Sequence, residues 1–167
     1  LNNLVAWGMT KGVILLKSDG TPIRPIVHIE DISRAFIAAL EAPADLVRGE
    51  AFNVGQTAHN YTVRQIAEIV RDIVPNTTIE LTSEAGPDPR SYRVSFEKIK
   101  KTLPGFQPQW DAVKGAEQLY AAYKKSGITV EEFEGTRYNR IKHIKKLLAD
   151  QMLTTELRPG AEAVAAQ

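Results

Sequence analysis

The run Ser18-Asp19-Gly20-Thr21-Pro22-Ile23-Arg24-Pro25-Ile26-Val27-His28-Ile29-Glu30-Asp31 constrains this chain more than any other segment. Ser-Asp-Gly is turn chemistry, Ile23 to His28 reads as a buried strand, and Ile29-Glu30-Asp31 opens a helix. A lone arginine therefore stands at the mouth of an apolar strand beside a helix N-terminus. A planar, bidentate cation placed there suits a phosphate, although the local sequence alone also fits a surface arginine on a strand edge. No Gly-x-Gly-x-x-Gly occurs, so no segment can wrap a dinucleotide pyrophosphate. The chain opens on Leu1-Asn2-Asn3-Leu4-Val5-Ala6-Trp7, an apolar helical pattern with no N-cap before it, which reads as an entry in mid-domain.

A length of 167 residues fits one domain with a modest core, and a net charge of +1 offers neither a basic field for nucleic acid nor an acidic tail. Without cysteine there is no disulfide framework and no thiolate metal site, which points to a cytoplasmic protein. His28, His59 and His143 stand in no ligand spacing, so no metal is expected. No apolar run is long enough to span a membrane.

The patterns predict a helix over 3–11, strands over 13–16 and 23–28, and an amphipathic helix over 31–41 burying Ile32, Ala35, Phe36, Ala39 and Leu40. Ala51-Phe52-Asn53-Val54-Gly55 reads as a short strand closed by glycine. Thr62 and Gln65 form a capping box for a helix burying Ile66, Ile69, Val70, Ile73 and Val74. A strand over 78–81, a Gly/Pro-rich loop over 84–90 and a short helix capped by Ser95 follow. Two further helices are expected over 111–125 and 137–150, with a second capping-box pattern at Thr129–Glu132 between them.

The order and spacing of several motifs are similar to those of the extended short-chain dehydrogenase/reductase family, the NAD-dependent epimerases and dehydratases of sugar nucleotides. The residues that carry the resemblance are Asn3-Leu4, the strand Val13–Leu16, Ser18-Asp19-Gly20, Arg24, Ile29-Glu30-Asp31 and Phe52-Asn53-Val54-Gly55. Pro87-Asp88-Pro89-Arg90-Ser91-Tyr92, Lys98 and Leu103-Pro104-Gly105-Phe106-x-Pro108 continue it. It implies an α/β fold: a C-terminal substrate-binding lobe over 1–150, a small sheet with packed helices, a tail over 151–167, and no N-terminal Rossmann portion. It implies a nucleotide sugar as ligand, with NAD or NADP in the complete enzyme and none for this chain alone, and the missing Rossmann portion as partner.

Carried over residue by residue, the resemblance puts the Asn3 amide and Leu4 at the diphosphate or sugar, and Leu15 and Leu16 on the strand lining the base. It makes Arg24 the diphosphate clamp, with Asp88 near ribose hydroxyls and Arg90 near a phosphate. Lys17 stands where many members carry an aromatic residue near the base and cannot stack in the same way, and Ala85 replaces a common arginine. Asp31 is expected as a helix N-cap and His28 as a core histidine without chemistry.

The family's catalytic Tyr-x-x-x-Lys spacing occurs twice, at Tyr120/Lys124 and Tyr138/Lys142, but after the substrate loop and with no cofactor fold before it. Neither pair is assigned catalysis. Tyr120 fits the stripe Val113, Ala116, Tyr120, Tyr123, and the basic run Arg137 to Lys146 fits a solvated helix face. A stand-alone binding or interaction module is the alternative to a portion of an enzyme. In either case an apolar face should be uncovered, with the first helix, carrying Leu4, Val5 and Trp7, the most affected.

Overall fold

A computed structural model of the chain describes residues 1–86 and 90–160. The chain divides into two compact units, Leu1–Ala122 and Tyr123–Gln167.

In the first unit α1 (Asn2–Lys11) ends at Gly12, whose φ of 67° turns the chain directly into β1 (Val13–Ser18). β2 (Ile23–Pro25) is followed by α2 (Ile29–Glu41), the single turn α3 (Ala44–Val47), and β3 (Asn60–Thr62). Next come α4 (Val63–Ile73), β4 (Thr78–Gly86), α5 (Glu97–Thr102) and α6 (Ala112–Ser126), within which the division between the units falls. The sheet component is two separate pairs: β1 runs parallel to β4, and β2 antiparallel to β3 with Arg24 opposite Tyr61. β4 extends to Gly86, beyond the expected end at Leu81, because the pairing with β1 resumes at Ser18–Gly86 after a register shift.

α1 packs on β1 and α4. Val5, Ala6, Ile14, Leu16, Ile66, Ala67, Val70 and Val74 are buried in these elements. Ala35, Ala38, Phe96, Ile99, Leu103 and Phe106 form a second apolar cluster, joined at its edge by Phe52 and Val54. Gly55 ends that edge at φ 152°, and a Cβ built on it would lie 2.8 Å from the Phe96 ring, so only glycine fits.

Six expectations are corrected. The strand expected over 23–28 stops at Pro25, because His28 is drawn into capping α2: its Nδ1 accepts the Glu30 amide at 3.2 Å. Asp31 is therefore not the cap but a fully buried residue of the first helical turn. His28 is not a core histidine; it stacks on Trp110 with ring centres 3.8 Å apart and pairs its Nε2 with Gln118 Oε1 at 2.8 Å. The outer residues of α2 are not buried either. Ala35 and Ala38 face the core, while Phe36 and Leu40 are 69% and 84% exposed. By contrast Val5 in α1 is fully buried, so the most exposed apolar face belongs to α2 and not to the first helix. Finally, residues 51–55 form no ladder with another segment among the described residues. Smaller differences follow the same pattern: Val113 is exposed, and the Ser95 hydroxyl accepts the Glu97 amide at 3.4 Å from one residue before the N-cap of α5.

Within the second unit α7 (Val130–Glu134) is capped by the Thr129 hydroxyl and α8 (Arg140–Ala149) by Asn139, so the expected start at Arg137 moves three residues on. Residues 151–160, expected as part of a tail, carry a Leu153–Pro159 bridge and a Gly160 amide to Met152 carbonyl bond of 2.9 Å. Residues 161–167 lie outside the described residues.

The Asp31 carboxylate accepts the amides of Gln109 (2.9 Å) and Trp110 (3.0 Å) and the Arg34 guanidinium (3.0 Å). Asp31→Ala strands both amides and should cost about 3 kcal/mol. Asp31→Asn sets an amide donor against one of them and should cost about 2 kcal/mol. Urea unfolding checks both, and unchanged midpoints would contradict the assignment.

Candidate functional site

The turn before β2 is built to hold its strand in place. Asp19 Oδ1 accepts both the amide (2.9 Å) and the hydroxyl (2.7 Å) of Thr21, and these bonds, the amide first, hold its carboxyl below the usual range. Gly20, at φ 86°, then sends its carbonyl to the Arg64 amide at 2.9 Å, while the Pro22 carbonyl takes the Val63 amide at 2.9 Å. The Thr62/Gln65 capping box satisfies the next amide of α4. The first-turn donors of α4 are thus consumed by the turn that precedes Arg24, which fixes where the arginine emerges.

Arg24 Nη1 donates to the carbonyls of Ile23 (2.8 Å) and Arg90, and its guanidinium lies 5.7 Å from the centre of the Tyr92 ring. Ser91 Oγ accepts the Ile23 amide at 3.1 Å, tying the 90–92 segment to the same strand. Across the ladder, burial pushes the Tyr61 phenol above its usual range. These contacts hold the guanidinium in one place before any ligand arrives.

Arg24 borders a cavity of about 430 Å³ whose other walls include Asn3, Leu4, Trp7, Ile26 and Val63. The helix N-terminus that shares the cavity with Arg24 through its first residues is that of α1, not α2, and α1 has no side-chain cap and no acidic residue in its first turn. Its polarity there favours an anion. A second cavity, of about 460 Å³, shares Asn2 and Ile26 with the first and is bordered by His28, Trp110 and Gln118.

Of the residues singled out from sequence, the structure brings together Asn3, Leu4 and Arg24 at one cavity, and brings the Arg90 backbone to the Arg24 guanidinium. Leu15 and Leu16 point to opposite sides of β1: Leu15 is exposed, and Leu16 is buried in the core with its side chain turned away from solvent. Asp88 lies outside the described residues. Trp7, Ser91 and Tyr92 were not singled out as site residues. Trp7 follows Asn3 by four positions, a spacing that sets both on one helix face, and this signal could have found it.

Tyr120 is half-buried, and Lys142 Nζ is spent on the Glu134 carbonyl at 2.6 Å while Arg137 covers the Tyr138 ring.

Residues 2–55 match the profile of the NAD dependent epimerase/dehydratase family. A UDP-glucose 4-epimerase of Corynebacterium glutamicum is 32% identical over 92 residues, 54% of this chain and 27% of that protein. One of Lacticaseibacillus casei is 32% identical over 99 residues, 57% and 28% respectively. The chain thus spans little more than a quarter of the length of these relatives. Among solved structures, a UDP-glucuronic acid 4-epimerase from Bacillus cereus, in complex with UDP-glucuronic acid and NAD, superposes with a TM-score of 0.61 at 22% identity, covering 74% of this chain and 38% of that one. An L-threonine dehydrogenase from Clostridium difficile gives 0.62 at 17% identity, covering 75% and 40%. At these identities the structural likeness is one of fold. The family match over residues 2–55 and the epimerase relatives support, for that part of the chain, membership of the extended short-chain dehydrogenases/reductases.

The sequence holds no Gly-x-Gly-x-x-Gly through which backbone amides could reach a pyrophosphate. No helix among the described residues is long and apolar enough to cross a membrane.

Ser91→Ala removes the acceptor for the Ile23 amide and should cost about 1 kcal/mol. Amide exchange at Ile23 should quicken about fivefold, the same energy read as a rate. Unchanged exchange would show that Ser91 does not tie the two segments.

Proposed function

We propose that this chain forms the substrate-binding part of an NAD(P)-linked enzyme acting on a nucleotide sugar, with Arg24 and Asn3 receiving the diphosphate. The observation that supports the reading most is the meeting of Arg24, Asn3 and the uncapped first turn of α1 around one cavity. The guanidinium supplies a planar donor fork, Asn3 a neutral amide donor, and the helix start a favourable potential, all aimed at one anion. Leu4, Trp7 and Ile26 give the same cavity apolar walls against which a sugar ring can rest. Arg90, whose carbonyl is bonded to Arg24, stands next to the clamp and is assigned to a phosphate on this reading. Leu15, exposed on β1, is the residue left to meet the base.

The work assigned to this chain is binding. Contacts to the nucleotide, remote from the sugar carbon that reacts, position the sugar and lower the barrier there. Hydride and proton transfer belong to the complete enzyme, whose outcome is epimerisation, dehydration or ketoreduction.

Incubated alone with NAD(H) and a panel of nucleotide sugars, the chain should show no turnover. Turnover abolished by Tyr120→Phe or Tyr138→Phe would show that one of the tyrosine–lysine pairs is catalytic after all.

Arg24→Ala should weaken binding of UDP- or dTDP-sugars tenfold or more, since a charge-assisted hydrogen bond is worth about 1.5–3 kcal/mol. Arg24→Lys should also weaken it, because the point charge lacks the planar fork. Both variants lose the carbonyl contacts and should be less stable by about 1 kcal/mol, so affinity is measured by calorimetric titration on the folded protein. L-threonine, the substrate in the name of one fold neighbour, serves as the contrast ligand. Unaltered affinity for every nucleotide sugar that the wild type binds would remove Arg24 from the site.

A further inference from the structure

The segment that returns to Arg24 has no ladder of its own. Among the described residues no backbone–backbone hydrogen bond joins residues 91–95 to another segment. The Asn60 side chain takes that place. Its Oδ1 accepts the Val94 amide at 2.9 Å, and its Nδ2 donates to the Val94 carbonyl at 2.9 Å. An antiparallel ladder exchanges this same pair of bonds between two residues that face each other, so here a side-chain amide stands in for a strand. The remaining Nδ2 hydrogen goes to the Thr57 carbonyl at 2.9 Å, which fixes the way the amide faces.

The backbone of Asn60 lies opposite Pro25 in the β2–β3 pair, and Ser91 Oγ takes the Ile23 amide at 3.1 Å. Arg24 lies between those two points on β2, and Tyr92 lies between Ser91 and Val94 on the returning segment. Held at one point, a short segment can pivot; held at two, it presents the same groups to the same neighbours. The Tyr92 ring is thereby set 5.7 Å from the Arg24 guanidinium, and the Arg90 carbonyl accepts from Nη1. Phe96, further on, has its own anchors: its side chain is buried in the second cluster and its amide donates to the Thr57 hydroxyl at 3.2 Å. Loss of the Asn60 amide therefore frees the returning segment and not the core beyond it. Asn60 itself does not border the cavity at Arg24.

We propose that Asn60 is a positioning residue of the anion site. Its side-chain amide, acting through Val94, sets Tyr92 and the Arg90 carbonyl against Arg24 and so holds the guanidinium in the orientation that receives a ligand. The proposal rests on the reading of Arg24 as the diphosphate clamp and adds to it a residue that touches no ligand. A side chain ordered in advance loses less freedom on binding, a gain of about two- to tenfold in affinity for each such side chain.

The test compares the chain with Asn60→Ala, which removes the whole pair of bonds, and Asn60→Asp, which keeps the acceptor for the Val94 amide and loses the donor. NMR on the ligand-free proteins reads the geometry, and calorimetric titration with UDP-glucose reads its consequence. In both variants the cross-peaks between the Tyr92 ring and the Arg24 side chain should weaken, more so in Asn60→Ala, and the Arg24 Nε should become more mobile. The Arg64 amide, bonded to the Gly20 carbonyl, should keep its protection from exchange. Affinity for UDP-glucose should fall about fivefold in Asn60→Ala. Unchanged cross-peaks between Tyr92 and Arg24 overturn the proposal, as does unchanged affinity once they are lost. Loosening that reaches the Arg64 amide equally also overturns it, since Asn60 would then serve the fold at large. Asn60→Asp carries the same comparison if Asn60→Ala does not fold. A wild type that binds no UDP-glucose, while Asn60→Ala still loosens Arg24, refutes the nucleotide-sugar reading alone and upholds the tether.

Discussion

The carboxylate of Asp31 is the constraint on which the first unit turns. It is the one charged side chain among the described residues that is fully buried, and burial of an ion is tolerable only when its oxygens are satisfied. Two backbone amides and one guanidinium do this, and the amides come from Gln109 and Trp110, far along the chain. The start of α2 is thereby welded to the segment that leads into α6. Trp110, held by its own amide, becomes the platform on which His28 stacks, and the His28 ring caps the helix that carries Asp31. Capping requires an unprotonated Nδ1, so Nε2 carries the proton and donates to Gln118. The path of residues 24–28 is held at its far end by this closed set of contacts and at its near end by the Gly20–Pro22 carbonyls on α4. Arg24 lies between two fixed points.

What could be read from sequence was what local chemistry decides. The turn at Ser18-Asp19-Gly20, the capping box of α4 and the cap of α7 depend on residues within three positions of one another, and each forms as the pattern indicates. Asp31 failed as a cap because its donors lie 78 and 79 residues away, beyond any local pattern. Phe36 and Leu40 have the period of a core-facing stripe; periodicity marks an apolar face but does not say whether anything in this chain covers it. Residues 51–55 have strand composition, and a strand exists only when a neighbour supplies the ladder. The site followed the same division. Asn3 and Arg24 are 21 positions apart, and only the order of motifs along the chain linked them, whereas the Tyr92 ring beside Arg24 needed the fold to bring the 90–92 segment back onto β2.

Two helix starts near Arg24 have different fates. Those of α4 are saturated by carbonyls and by a capping box, so that helix start is structural. That of α1 carries no side-chain cap at Leu1 and borders the cavity that Arg24 also borders. The guanidinium beside it is held by two carbonyls and an aromatic face, which reduces the rotamer entropy lost when an anion binds.

The central claim is that an anion of a nucleotide sugar is received between Arg24 and Asn3, and nitrogen-resolved NMR reports on those two side chains directly. In a titration with UDP-glucose, the Arg24 Nε and Asn3 Nδ2 resonances should shift together and saturate at one concentration, while the Trp110 indole, on the other side of the neighbouring cavity, stays in place. Saturable shifts at Trp110 and His28 with Arg24 and Asn3 unmoved would contradict the account and transfer binding to the second cavity.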